Sequence, residues 1–191
     1  MTNVIGFVGA IGSGKTTAQK RLQEAFGFSR VRFAGPLKDM MRALGLSEAE
    51  IDGDLKEKPC ALLGGKSPRY AMQTIGTEWG RGLIDSDLWI NAWRRAVTAA
   101  NAICVVADDC RFPNEAAAIR ALGGKIVRIT GRAGDTSAAA HASEGQPIEA
   151  DIEIENTGDL AAFYVSVDDL PRRLFDWCAR PRWPARLPSL R

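Results

Sequence analysis

The chain has 191 residues and a mass of 20.7 kDa, enough for one domain with a sizeable core but not for two of ordinary size. Hydrophobic residues make up 46% and charged residues 25%, a globular and soluble composition rather than a disordered one. With 25 Lys and Arg against 23 Asp and Glu the net charge is +2, which argues against a nucleic-acid partner and leaves room for a small anionic ligand.

Val4-Ile5-Gly6-Phe7-Val8 is short, apolar and β-branched, and reads as a buried parallel strand. Gly9 to Gly14 interrupts it, and Lys15–Phe26 reads as a helix with Leu22 and Phe26 one turn apart. A second strand is expected at Arg30–Phe33, followed by a largely helical stretch with polar breaks from Gly35 to Asp85. Asp87–Asn101 reads as a helix with an acid or Ser86 near its start, Ile103–Ala107 as another buried strand, and Asn114–Leu122 as a helix ended by Gly123-Gly124. Lys125–Thr130 is a strand, Gly131–Pro147 a loop or lid rich in Gly, Ala and Ser, and Asp151–Glu155 a further strand. Asp159–Cys178 is helical with a break at Pro171, and an Arg- and Pro-rich tail follows from Arg180.

Strands alternating with helices imply an α/β fold, a parallel sheet with right-handed crossovers flanked by helices. The expected organisation is one domain over residues 1–179, with a helical insertion at about 34–86, a lid at about 131–147, and a tail at 180–191. No apolar run is long enough for a membrane span and the first residues lack the features of a signal peptide. Cys60, Cys104, Cys110 and Cys178 form no CxxC pair, and with His141 the single histidine no zinc quartet arises; a reduced, cytoplasmic protein is the expectation. Cys104, Cys110 and Cys178 read as small buried hydrophobes.

Gly9-Ala10-Ile11-Gly12-Ser13-Gly14-Lys15-Thr16 fits the GxxxxGK[ST] pattern in full, between a strand and a helix. The glycines let consecutive N–H groups curl around an anion, and the positive end of the helix dipole faces the same point. Lys15 can reach the β and γ oxygens of a nucleoside triphosphate, and Thr16 can place its hydroxyl on Mg²⁺. The expected ATP cradle is therefore Gly9, Ala10, Gly12, Ser13, Gly14, Lys15, Thr16 and Thr17. The strand Ile103–Ala107 ends in Asp108-Asp109, at the edge where open α/β sheets bind ligands. Adjacent strand residues face opposite sides, so one of the two would serve the metal; Asp109 is the expected one, the sequence alone leaves the pair open, and a turn cap is the competing role.

No [NT]KxD base-reading motif is present, which disfavours a GTPase, and a motor ATPase needs a larger chain. A short chain with a helical insertion after the second strand and a late flexible loop suggests a small-molecule kinase. The sequence resembles the phage-type deoxynucleoside monophosphate kinases. The resemblance rests on the stretch from Ile5 to Thr16, Phe33-Ala34-Gly35-Pro36-Leu37-Lys38, Gly65 to Gln73, Gly76-Thr77-Glu78-Trp79-Gly80-Arg81, Asp108 to Glu115, and His141-Ala142-Ser143-Glu144. Together these span about residues 4 to 160, and the segment from Ser67 to Arg81 is the specific part. The family commonly carries an acid where Gly35 stands, so an acceptor contact at that position is not carried over.

What the resemblance implies is transfer of the ATP γ-phosphoryl group to a deoxynucleoside monophosphate. An acceptor that is already an oxyanion needs no strong base, only positioning and neutralisation of charge. Ser67 is a plausible N-cap with Pro68 at the first helical position, which places Arg69, Gln73 and Gly76 on one face. Arg69 is the first choice for gripping the acceptor phosphate, with Arg81 beside it and Lys38 as a further contact. Gln73 could read a base edge, and Tyr70 and Trp79 could stack on a base, although such rings more often belong to a core. Arg111 could bridge both phosphates and Arg132 could close on them as an arginine finger; each has an ordinary surface role as its alternative. His141 is assigned no acid–base work. The competing functions are a kinase of another small metabolite, such as dephospho-coenzyme A, and a DNA-associated ATPase using the Arg-rich tail. A homodimer is compatible with the sequence.

Overall fold

The structure, a computed structural model, describes residues 2–131 and 148–175. Arg132, His141, Glu144, nearly all of the expected lid, Cys178 and the Arg-rich tail lie outside the described residues. Among the described residues no helix is long and apolar enough to cross a membrane.

Five strands, β1 (Asn3–Val8), β2 (Ser29–Arg30), β3 (Cys104–Ala107), β4 (Lys125–Thr130) and β5 (Ile152–Glu155), form one parallel sheet in the order β2-β3-β1-β4-β5. Helix α1 (Lys15–Phe26) follows β1. Between β2 and β3 come α2 (Gly35–Ala43), α3 (Glu48–Ile51), a 3₁₀ turn (Ala61–Leu63), α4 (Pro68–Gln73), a π-helix (Thr74–Ile84) and α5 (Leu88–Ala100). Helix α6 (Pro113–Ala121) joins β3 to β4, and α7 (Leu160–Asp168) and α8 (Leu170–Phe175) follow β5.

The sheet is covered on both faces, which is why its strands read as unbroken apolar runs. Successive residues of β1 enter opposite cores: Val4 and Val8 pack with Trp93, Ile119 and Ile126, while Ile5 and Phe7 pack with Leu22, Phe28 and Phe163. Gly6 has no room for a side chain, since a Cβ there would press on Ile119. The insertion has a third, smaller core of Leu37, Met41, Leu46, Ile51, Met72 and Trp89.

Three elements differ from the sequence reading. β2 ends at Arg30 instead of reaching Phe33. The Val31 amide still bonds to Val106, but the amides of Phe33 and Ala34 turn to the Asp109 carboxylate. Thr74–Ile84 is a π-helix, a form with no apolar period of its own. Its glycines admit the indole of Trp89: a Cβ on Gly80 would lie 2.7 Å from Trp89 Cζ2, and Trp89 Nε1 donates to the Gly76 carbonyl at 2.7 Å. The last helical stretch breaks at Asp169, where α7 stops and Pro171 enters the first turn of α8.

Candidate active site

Loop and helix follow from the pattern Gly9–Thr16. Gly9, Gly12 and Gly14 all have positive φ, of 146°, 80° and 110°. At Gly9 a Cβ would strike the Ile129 carbonyl, and at Gly14 it would lie 3.3 Å from the Phe163 ring and still closer to the Asn156 amide. The Gly14 position supplies no side-chain cap and α1 has no acid in its first turn, so its leading N–H groups stay available to an anion. Lys15 folds back over the loop, its Nζ donating to the carbonyls of Gly9 at 2.6 Å and Ala10 at 2.7 Å. Asn156, just beyond β5, donates from Nδ2 to the Ser13 carbonyl at 2.9 Å and is itself buried. It ties the loop to the far side of the sheet. The sequence offered no signal for it beyond a polar residue after an alternating strand. Ser13 Oγ is buried without a partner among the described residues.

At the end of β3 the two acids divide. Asp108, not Asp109, lies beside the loop: Thr16 Oγ1 is 3.5 Å from Asp108 Oδ2. Arg30, at the end of β2, holds the same carboxylate through Nε at 2.9 Å and Nη2 at 2.5 Å. Asp109 turns to the other side of the strand and accepts from the amides of Phe33 at 3.1 Å and Ala34 at 2.9 Å. Asp109, the acid expected beside the metal, is thus turned away from Thr16, and Asp108 is the one that meets it. Alternation along the strand puts only one of the neighbours toward Thr16, and two main-chain donors engage the other. Burial pushes the Asp109 carboxyl above its usual range, with the two amides working against that shift. The pair Thr16 and Asp108 offers hard oxygens, the ligand type Mg²⁺ prefers. Among the described residues no cluster of three or more acids, His or Cys could cage a metal alone, so phosphate oxygens and water would complete the shell.

Beyond Asp109 opens a cavity of about 200 Å³. Its apolar lining is Phe33, Leu37, Met72, Trp89 and Phe112, and its cations are Lys38, Lys56, Arg69, Arg81 and Arg111. Ser67 caps α4 by accepting from the Tyr70 amide at 3.2 Å, and Arg69, Gln73 and Gly76 all face the cavity. Tyr70 and Trp79 do not line it. They are 51% and 40% exposed, Tyr70 lies beneath the Lys66 ammonium, and neither ring is placed to stack on a group inside the cavity. Both face outward because the cavity side of α4 and of the π-helix is already filled by Met72, Gly76 and Trp89.

Most of the cations are matched by carboxylates. Asp52 bonds Lys38 and also Arg32, the latter at 3.0 Å. Burial opposes ionisation of Asp52, but Lys38 and Arg32 outweigh it and hold the carboxyl down to about 2. Arg69 Nε meets Glu57 at 2.6 Å. Arg81 meets Glu115 at 2.6 Å and lies over the Phe112 ring, 4.1 Å from its centre. Glu115 sits in the first turn of α6, where its other oxygen accepts from the amides of Arg111 at 2.7 Å and Phe112 at 3.1 Å. Burial pushes the Glu115 carboxyl up to about 7 even against those amides and Arg81.

No protein-family model matches the chain. It is 35% identical over 181 residues to an Acanthamoeba polyphaga mimivirus protein named "Putative deoxynucleotide monophosphate kinase", an alignment covering 86% of this chain and 93% of that one. The chain belongs to that kinase family. Its fold is similar to the solved structure of a Thermus thermophilus protein, with TM-score 0.53, 18% identity, and coverage of 91% of this chain and 98% of that one. Shikimate kinase from Aquifex aeolicus is also similar, with TM-score 0.48, 11% identity, and coverage of 90% and 98%. The protein is a phosphotransferase.

Proposed function

We propose that the enzyme transfers the γ-phosphoryl group of ATP to the phosphate of a deoxynucleoside monophosphate, giving ADP and the deoxynucleoside diphosphate. The observation that carries this reading is a cavity with five cationic side chains, lined by Asp109, whose neighbour Asp108 meets Thr16 of the phosphate-binding loop. Asp108 faces Thr16 and its neighbour Asp109 lines the cavity, so two consecutive residues separate donor from acceptor. The resemblance to deoxynucleoside monophosphate kinases and the viral relative support the same acceptor.

An oxygen of the acceptor phosphate forms the new bond to the γ-phosphorus, and the bond from that phosphorus to the β–γ bridging oxygen breaks, leaving ADP with the electron pair. No proton need be removed from a dianionic acceptor. The work of the chain is then to hold two anions in line and to offset their charge. The loop amides and Lys15 bind the polyphosphate, and Lys15 must leave the carbonyls of Gly9 and Ala10 to do so. Arg69, Lys38 and Arg111 orient the acceptor phosphate, and the apolar lining takes up the nucleoside. Thr16 and Asp108 would hold Mg²⁺, which offsets charge on the transferred group when bound.

Incubation with ATP, Mg²⁺ and each of the four deoxynucleoside monophosphates tests this directly. At least one diphosphate should form. Phosphorylation of dephospho-coenzyme A alone, or DNA-stimulated hydrolysis of ATP with no acceptor, would replace the proposal with a different activity.

A further inference from the structure

The cavity contains one cation that the expected chemistry did not assign. Lys56 lies in the turn after α3, half-buried, and lines the cavity with Lys38, Arg69 and Arg111. The Arg69 amide donates to the Lys56 carbonyl at 2.9 Å, which fixes the two residues side by side. Lys38 has Asp52, Arg69 has Glu57 and Arg81 has Glu115, but among the described residues the Lys56 ammonium has no ion pair and no side-chain hydrogen bond. Burial, followed by the charges of Arg69, Lys38 and Arg111, lowers the ammonium to about 8, and only Asp52 works the other way. Such a cation costs stability in the empty protein. The balance reverses when a group with two negative charges enters among these side chains.

We propose that Lys56 is a ligand of the acceptor phosphate and restricts the site to acceptors bearing a dianionic phosphate monoester. The inference rests on the kinase reading above and deepens it by naming what the cavity selects. A neutral hydroxyl acceptor would leave the Lys56 charge uncompensated in the cavity. A phosphate monoester compensates it without waiting for Lys38 or Arg69 to give up a partner. Those two pairs exchange readily in any case, since Asp52 and Glu57 are 37% and 61% exposed. Lys56 can bind the incoming phosphate first and the neighbouring cations can then turn to it.

The test is calorimetric binding to the full-length protein without ATP. The probes are the four deoxynucleoside monophosphates, the corresponding deoxynucleosides, a sugar phosphate and inorganic phosphate. The proteins are wild type, Lys56→Arg and Lys56→Met, each with its melting temperature measured. Lys56→Met should weaken binding of the monophosphate by about tenfold or more, the loss of one charge-assisted hydrogen bond. Its melting temperature should stay level or rise, because a repelled charge is gone. Lys56→Arg should keep most of the affinity, and deoxynucleoside binding should be the same in all three. A residue that merely supports the fold would lower the melting temperature and weaken nucleoside and nucleotide alike. Equal affinity of wild type and Lys56→Met for the monophosphate overturns the inference while leaving the kinase reading intact. Binding of the sugar phosphate but of no nucleotide, still lost in Lys56→Met, upholds the inference and removes the nucleotide. Binding of no phosphate monoester by the wild type overturns both.

Discussion

Single side chains decide the chemistry of the donor side. Lys15→Ala should reduce turnover by about a thousandfold while leaving the melting temperature nearly unchanged, because its ammonium bonds the exposed loop carbonyls of Gly9 and Ala10 in the empty protein. The two acids at the end of β3 should separate cleanly. Asp108→Asn should lower kcat and raise the Mg²⁺ concentration needed for half-maximal rate. Asp109→Asn should instead destabilise the fold by about 1–3 kcal/mol, since an amide cannot accept from both the Phe33 and Ala34 N–H groups as a carboxylate does. Kinetics against Mg²⁺ and urea unfolding of both variants check this pair, and the reverse ranking would return the metal role to Asp109. The loop itself was legible in the sequence because its pattern is local: glycines, a lysine and a hydroxyl within eight residues. The choice between Asp108 and Asp109 was not, because it depends on which face of β3 meets α1. Asn156 and Arg30 were hidden for the same reason, each acting on a loop or acid far away in the chain.

The elements of the insertion show where periodicity stops being informative. α4 could be read from Ser67-Pro68, a cap and a first-turn proline, and its Arg69–Gln73 face does meet the cavity. The π-helix that follows could not, because no apolar spacing marks it: Gly80 leaves room for the Trp89 indole and the Gly76 carbonyl accepts its N–H. The outward turn of Tyr70 and Trp79 follows from that packing. Gly80→Ala should cost about 1–3 kcal/mol, as its methyl would need Trp89 to move from the insertion core, and it should raise the acceptor KM more than the ATP KM. Acid should loosen the same region. The Asp52 carboxyl titrates at about 2 in the folded protein, below its usual value near 3.8, so the stability it contributes is present above that usual value and is lost as the pH falls through about 2. Thermal unfolding of wild type and Asp52→Asn from pH 6 to pH 2 should converge at the acid end. A constant gap between the two proteins would mean that Asp52 is not ionised in these pairs.

At the scale of the molecule, the parallel sheet with β1 at its centre brings the loop after β1 and the acids after β3 to one edge. The insertion between β2 and β3 closes over the same edge with a core of its own. The α/β architecture was readable because buried strands and intervening helices leave strong local signals. The cavity was only half readable: Lys38, Arg69, Gln73, Arg81 and Arg111, all singled out in the sequence, line it, whereas no local pattern marks Lys56. On the proposed function, one phosphate held by these cations accepts another from the nucleotide on the loop. This transfer is tested most directly by following γ-labelled ATP with each of the four deoxynucleoside monophosphates and identifying the labelled product. The label should appear as the β-phosphate of a deoxynucleoside diphosphate. Label found only in inorganic phosphate, or on the hydroxyl of an acceptor without a phosphate monoester, would contradict it.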